Sequence, residues 1–292
     1  MEKSIVRYLI LVITGAAFLT SCTPTPSADE DRNLRMVYTD WSESIAITHL
    51  AAVLLEENME YNVEIKLTDV ESAYNEVANG TADVFADAWL PETHKGYFNE
   101  HAGRIDQIGI TFPGARIGFV VPAYSRLNTI QDLKNYQSPV VGIDAGAGVM
   151  QKANDAIEHY NLPLRLLSIT EEEMIKHLED SIRRRREIVI TGWSPHWIFS
   201  RFEVKFLEDT DSIFGSTEYI YTIARTGMAE SHPNAVRFFE RMQLTEKQLN
   251  DLVYQVRLSE DPRQGVKNWM GDNEYIVNQW VKNLKPERVK VM

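Results

Sequence analysis

Residues 34–68, LRMVYTDWSESIAITHLAAVLLEENMEYNVEIKLT, carry the pattern that decides the fold. Leu34 to Thr39 reads as a short apolar strand, Ser44 to Asn58 as an amphipathic helix and Tyr61 to Thr68 as a second strand. The same alternation continues with a helix over Glu71 to Asn79 and a strand over Val84 to Ala88. Short strands alternating with helices imply a parallel sheet with helices on its faces. In such a fold the loops after strand C-termini gather along one edge, where ligands bind. Trp41 and Trp89 both follow strands of this series.

Further along, Arg116 to Pro122 is an apolar strand ending at a proline, and Ser125 to Lys134 reads as an edge segment leading into a second series. That series runs through strand Val140 to Ile143, helix Val149 to Tyr160, strand Leu164 to Leu167, helix Glu171 to Arg185 and strand Glu187 to Thr191, which leads into Gly192-Trp193. A strand over Tyr219 to Ala224 then carries the chain back to the first series. Helices are expected over Ala235 to Met242, Glu246 to Arg257 and Glu274 to Val281. The chain beyond residue 33 is longer than one core usually organises. The expectation is therefore an α/β fold of two discontinuous lobes joined by two crossing strands, with residues 34–118 and 222–292 in one lobe and 119–221 in the other.

The N-terminus has a charged start (Lys3, Arg7), an apolar run from Tyr8 to Leu19, and then Leu19-Thr20-Ser21-Cys22. This reads as a secretory signal over residues 1–21 with a lipobox, too short to stay as a membrane-spanning helix. Cys22 is the single cysteine in the chain, which excludes an intrachain disulfide and makes it the expected lipidation site. Residues 22–33, with two prolines, Ser27 and several acidic residues, read as a tether between lipid and folded domain. The localisation that follows is the cell envelope, facing the periplasm or the exterior. A formal charge of −12 argues against nucleic acid as a partner. The basic run Arg183 to Arg186 ends a helix that opens with the capping box Thr170-Glu171-Glu172-Glu173, and is better explained as a solvated helix terminus.

Three tryptophans in turn-like settings are the strongest functional signal: Trp41 in Asp40-Trp41-Ser42-Glu43, Trp89 in Asp87-Ala88-Trp89-Leu90-Pro91, and Trp193 in Thr191-Gly192-Trp193-Ser194-Pro195-His196-Trp197. Indole faces converging from distant segments suit a quaternary ammonium ion. The stretch Gly142-Ile143-Asp144-Ala145-Gly146-Ala147-Gly148-Val149-Met150 places glycines between a strand and a helix. Free N–H groups at that helix start attract an anion. Its spacing matches neither dinucleotide nor mononucleotide phosphate loops, so a small carboxylate is favoured, with a structural turn as the competing reading. His94, five residues after Trp89, is either a surface histidine or a donor to that carboxylate. Asp40, Glu43 and Asp87 flank the cage and either contact the cation or orient a tryptophan. Trp197 reads as packing behind the cage, and Trp269 and Trp280 as core or lobe surface.

Taken together, Trp41-Ser42-Glu43-Ser44, Ala88-Trp89-Leu90-Pro91-Glu92-Thr93-His94, Gly142 to Met150 and Ile190-Thr191-Gly192-Trp193-Ser194-Pro195-His196-Trp197 resemble the glycine betaine/proline betaine-binding proteins of ABC importers for compatible solutes. The resemblance spans nearly the whole mature chain. It implies a type II, Venus-flytrap periplasmic-binding-protein fold. It implies a cationic head group in a prism of Trp41, Trp89 and Trp193, with the ligand carboxylate held by His94 and the backbone N–H groups of Gly148 and Val149. It also implies a lipid-anchored partner of membrane permease and ATPase subunits.

No G-x-S-x-G, no H-E-x-x-H and no cysteine besides Cys22 is present, so the chain reads as a binding protein and not an enzyme, with no cofactor and no metal expected. Choline or carnitine binding, or a betaine-sensing domain, are the alternatives. Choline would leave His94 and the glycine-loop N–H groups without an anion, and carnitine spaces its two charges further apart.

Overall fold

The computed structural model describes residues 32–284, which fall within one compact unit, Asp31–Met292. The expected signal segment, Cys22 and nearly all of the tether lie outside the described residues. Strand β1 (Asn33–Tyr38) leads into helix α1 (Ser42–Met59), β2 (Asn62–Leu67), α2 (Val70–Ala78), β3 (Val84–Leu90) and a short α3 (Lys95–Glu100). Alternation of buried and exposed residues in β1 (Leu34 and Met36 in, Asn33 and Arg35 out) is the period-2 signature of a half-buried strand. Helix α1 is apolar nearly all round, and almost every residue from Glu43 to Leu55 is buried. A helix of that kind must be covered on several sides, and it packs against β1, β2 and β3 on one side and two later helices on the other.

An 18-residue strand, β4 (Ile105–Pro122), follows, and then β5 (Val140–Gly142), α4 (Gly148–His159), β6 (Leu166–Ser168), α5 (Glu171–Arg183), β7 (Ile190–Ser194), α6 (Ile198–Arg201) and β8 (Val204–Phe206). The chain ends in β9 (Glu218–Arg225), α7 (Met228–Ser231), α8 (Pro233–Arg241), α9 (Glu246–Leu258), α10 (Pro262–Asp272) and α11 (Glu274–Trp280).

Strands run in the order β2-β1-β3-β9-β4-β7-β5-β6, with β8 added beside β4. The β1–β2, β1–β3, β5–β6 and β5–β7 pairs are parallel, as the alternation implied. All pairs made by β4 and β9 are antiparallel, so the sheet is mixed. Strand β4 alone takes part in both half-sheets, while β9 brings the chain back into the first. From Ile105 to Ala115, β4 pairs with β9, and from Arg116 to Pro122 it pairs with β7 and β8. The result is the two-lobed α/β architecture expected from the pattern.

Several local expectations need correction. The stretch Ser125 to Lys134 forms no edge strand. It leads instead into a 3₁₀ turn over Ile130–Asn135, capped reciprocally by Thr129 and Asp132. Strand β4 begins eleven residues before Arg116, where Gly109, Pro113 and Gly114 interrupt the apolar run and accompany breaks in pairing register. Gly109 is required there, because a Cβ would sit 2.3 Å from the Phe239 carbonyl of α8. Helix α3 buries no side chain and leaves no apolar pattern to read, while α10 went unread although Asp261 caps it and Pro262 occupies its first turn. The capping box Thr170/Glu173 at α5 forms as expected.

Candidate functional site

Trp89 and Trp193 prove to be strand residues and not loop residues. Trp89 is the penultimate residue of β3 and pairs with Ile220, and Trp193 pairs with Ile117 of β4. Trp41 occupies the extended N-cap position of α1. These positions are the strand ends and helix start that face the cleft between the two half-sheets. One cavity there, with about 270 Å³ of space not filled by atoms, is lined by Trp41, Trp89, Trp193, His94, Gly148 and Val149 together with Glu43, Thr93, Ile117, Ile143 and Ala147. All six residues named from sequence thus surround the same space.

Each of the three indole N–H groups is taken up by a carboxylate. Trp41 Nε1 donates to Asp144 Oδ2, Trp89 Nε1 to Asp87 Oδ1 and Trp193 Nε1 to Glu43 Oε2, each at 2.9 Å. Two of these bonds join elements on opposite sides of the cleft. Trp41 before α1 reaches Asp144 in the loop after β5, and Trp193 on β7 reaches Glu43 in α1. With the N–H edge anchored, each ring face is fixed rather than free to rotate. Glu43 and Asp87 therefore orient tryptophans, one of the two roles left open from sequence. Asp40 is exposed and holds none of the three indoles. Asp144 holds the third, a role that no local sequence signal indicates.

His94 is buried and receives the Trp89 backbone N–H on Nδ1 at 3.1 Å. Nδ1 is therefore the acceptor, and Nε2 carries the proton and is the ring's donor. Burial pushes the His94 pKa down to about 3, so the ring is neutral at physiological pH. At the facing edge of the cavity, Gly148 opens α4, where N–H groups at a helix start lack intrahelical partners. Gly148 also marks a close approach across the cleft. A Cβ there would lie 2.3 Å from Thr93 Cγ2 and 2.5 Å from the Thr93 carbonyl oxygen.

Two buried glutamates that the sequence did not point to as part of the site hold the surrounding loops. Glu218, at the start of β9, accepts from the backbone N–H of Glu92 at 2.7 Å and of Thr93 at 2.8 Å, and from the Thr93 hydroxyl, pinning the segment that presents His94. Glu171, first residue of α5, accepts from Ser42 N at 2.9 Å, from the Ser42 hydroxyl and from His196 Nε2 at 3.1 Å. His196 Nδ1 accepts from Ile198 N, so Nε2 is its donor. Against the burial that raises it, these donors hold the Glu171 carboxyl below its ordinary value. The bond from Glu171 to Ser42 crosses the cleft, as does Tyr97 OH to the Gly146 carbonyl at 2.9 Å. Trp197 is buried behind the cavity with the Arg257 guanidinium 4.2 Å above its ring, the packing role expected of it. Trp269 and Trp280 stack 6.3 Å apart in the helical core, away from the cavity. Among the described residues no His, Cys, Asp and Glu group is arranged to hold a metal ion, and no helix is long and apolar enough to cross a membrane.

A cleft between two α/β lobes, lined by aromatic rings and edged by a helix start, is the architecture of the two-lobed solute-binding proteins. Within it, the chain belongs to the family of substrate-binding domains of ABC-type glycine betaine transport systems, which matches residues 32–272. This is a transport family and not an enzyme family. The chain is 31% identical over 179 residues to a glycine betaine/carnitine transport binding protein, GbuC, of Listeria monocytogenes, a match covering 60% of this chain and 59% of that relative. Among solved structures, lactococcal OpuAC in its closed, liganded conformation with glycine betaine is similar at a TM-score of 0.82 and 32% identity, covering 86% of this chain and all of that one. The glycine betaine/L-proline-binding protein ProX of Borrelia burgdorferi gives a TM-score of 0.81 at 28% identity, covering 86% of this chain and 97% of that one. A choline-binding protein in complex with choline shares the fold, at a TM-score of 0.78 and 19% identity, over 86% of this chain and 92% of that one.

Proposed function

We propose that this protein captures glycine betaine, or a closely related quaternary-ammonium osmoprotectant, in a cage of Trp41, Trp89 and Trp193 and delivers it to the permease of an ABC importer. In this reading the trimethylammonium group sits against the three indole faces. The carboxylate is held by His94 Nε2–H and the backbone N–H groups of Gly148 and Val149. The observation that carries the reading is that these six residues, from four separate segments, line one cavity with the indole edges anchored by carboxylates. The lobes are taken as residues 34–118 with 222–292, and 119–221. The change of β4 partner after Ala115 supports this division. Cys22 serves as the lipid anchor, which keeps the receptor at the outer face of the membrane beside its permease and ATPase subunits.

A cation on an indole face gains about 0.5–2 kcal/mol, depending on how dry the site is. Three faces and a held carboxylate give roughly micromolar affinity after association costs. Calorimetric titration with glycine betaine, proline betaine, carnitine and choline tests the assignment. The betaines are expected to bind most tightly, and alanine at Trp41, Trp89 or Trp193 is expected to weaken them by about 2- to 30-fold. Trp269→Ala is expected to lower stability and leave affinity unchanged. Equal loss of affinity at Trp269 and Trp41 would remove the cage.

A further inference from the structure

Among the described residues, the two carboxylates that orient Trp89 and Trp193 have no cationic partner. Glu43 lines the cavity and is 2% exposed, while Asp87 behind it is fully buried. The charges acting on Glu43 are those of Asp87 and Glu171, and the charge acting on Asp87 is that of Glu171, so all of them are negative. Asp87 Oδ1 is occupied by Trp89 Nε1, and its Oδ2 is left without a well-formed hydrogen bond, with the Ser44 side chain beside it.

The other titratable groups packed around the pair do not relieve it. Glu171 on α5 is committed to His196 and Ser42 and remains a fixed negative charge. His196, after β7, directs its Nε2–H to Glu171 and not to the pair. Tyr74 on α2 is pushed well above the ordinary phenol value by burial and by Asp87, and stays protonated. His94 is neutral. Asp144, across the cleft, is bound to Trp41 and makes no contact with the pair.

We propose that Glu43 and Asp87 form a proton-holding pair behind the tryptophan cage, which keeps a proton while the cage is empty and releases it to solvent when an onium ion settles on the indole faces. The proposal rests on the cage reading above and adds proton coupling to it. The step is a simple ionisation. A carboxyl O–H bond breaks, the proton passes to bulk water, and the carboxylate left behind is the counter-charge of the bound cation. The indole bonds survive both states, because a protonated carboxyl keeps an oxygen able to accept from N–H.

The physical reason is that two adjacent carboxyls taken out of water cannot both be charged without a compensating cation. Burial, with the neighbouring carboxylates, pushes Glu43 well above its ordinary value, and burial pushes Asp87 up to about 8. A trimethylammonium group in the cavity supplies the missing positive charge in surroundings where charges interact far more strongly than in water. The sign of the linkage follows. In the empty protein, the raised values contribute stability that is complete below the ordinary carboxylate range and is lost as pH rises toward about 8. Ligand affinity runs the opposite way and rises with pH, by at most about tenfold per pH unit for one proton released.

The test is calorimetric titration of the full protein with glycine betaine, and separately with choline, at neutral pH in a series of buffers of differing ionisation enthalpy. The buffer dependence of the heat counts protons. The expected result is release approaching one proton per ligand for both compounds. Choline matters because it brings the cation without a carboxylate, so proton uptake at His94 cannot mask the release. Glu43→Gln retains an acceptor for Trp193 Nε1 and is expected to reduce the release sharply, and Asp87→Asn to do the same. Ligand binding with buffer-independent heat for both compounds overturns the proton coupling and leaves the cage standing. Release that persists undiminished in both variants overturns the assignment to this pair. Failure of glycine betaine to bind at all overturns the cage reading itself, and is distinguishable from either.

Discussion

Replacing Gly148 with alanine offers a sharp test of how the cleft works. Helix propensity favours the change, since alanine in place of glycine stabilises a helix by about 1 kcal/mol. The variant also keeps the backbone N–H proposed to meet the ligand carboxylate. Any loss therefore has to come from the new methyl group, which would stand 2.3 Å from Thr93 Cγ2 and 2.5 Å from the Thr93 carbonyl oxygen. Thr93 cannot easily retreat, because its N–H and hydroxyl are both bound by Glu218. Overpacking of this kind costs about 1–3 kcal/mol, which corresponds to about 5- to 150-fold in Kd.

The contact joins the segment after β3 to the start of α4, across the cleft, so the cost falls on the closed state and not on the folding of either lobe. Glycine betaine affinity measured by calorimetry is expected to fall within that range. Thermal unfolding of the ligand-free variant is expected to match wild type or exceed it slightly. Small-angle scattering at saturating ligand is expected to show compaction in wild type and less in Gly148→Ala at equal ligand. Wild-type affinity in the variant, or a loss of ligand-free stability as large as the loss of binding energy, would refute the reasoning.

Two other outcomes follow from the same geometry. His94→Ala removes a donor useful only to an anion, so it is expected to weaken glycine betaine about tenfold or more and choline little, narrowing the preference between them in parallel titrations. Equal weakening of the two ligands would instead make His94 a support for Trp89, whose backbone N–H it accepts. Asp83, buried before β3, accepts from the Arg35 backbone and guanidinium and from Arg225 Nε at 2.6 Å, tying β1 and β9 to β3. Burial raises the Asp83 carboxyl, but the Arg35 and Arg225 guanidiniums outweigh it and hold it below its ordinary value. Its contribution is thus present above the ordinary carboxylate pKa and lost as pH falls through the depressed one. Asp83→Asn is expected to cost about 2–3 kcal/mol in denaturant unfolding at neutral pH, the partial exposure of both arginines keeping it below a fully buried pair. The difference from wild type should shrink in acid.

Much of this protein is written locally in its sequence. The apolar strand β1 and the capping box of α5 involve neighbours a few residues apart, and each appears where it was expected. Tryptophans near strand ends and glycines before a helix are local signals too, and the resemblance carried by their motifs picks out Trp41, Trp89, Trp193, His94, Gly148 and Val149, which line one cavity. The interrupted half of β4 escaped because Gly109 and Pro113 break the apolar run, and it is held in the sheet by long-range pairing with β9. The partners of the acidic side chains were likewise beyond reach. Trp41 meets Asp144 across 103 residues, Thr93 meets Glu218 across 125 and Trp193 meets Glu43 across 150. A carboxylate carries no local mark of which N–H it will accept, and that choice is made only when two lobes bring distant segments to a common cleft. Sequence alone named rings and backbone donors that turn out to line one cavity. Only the tertiary structure decided which charges hold those rings, because burial and the approach of distant segments exist only in the folded chain.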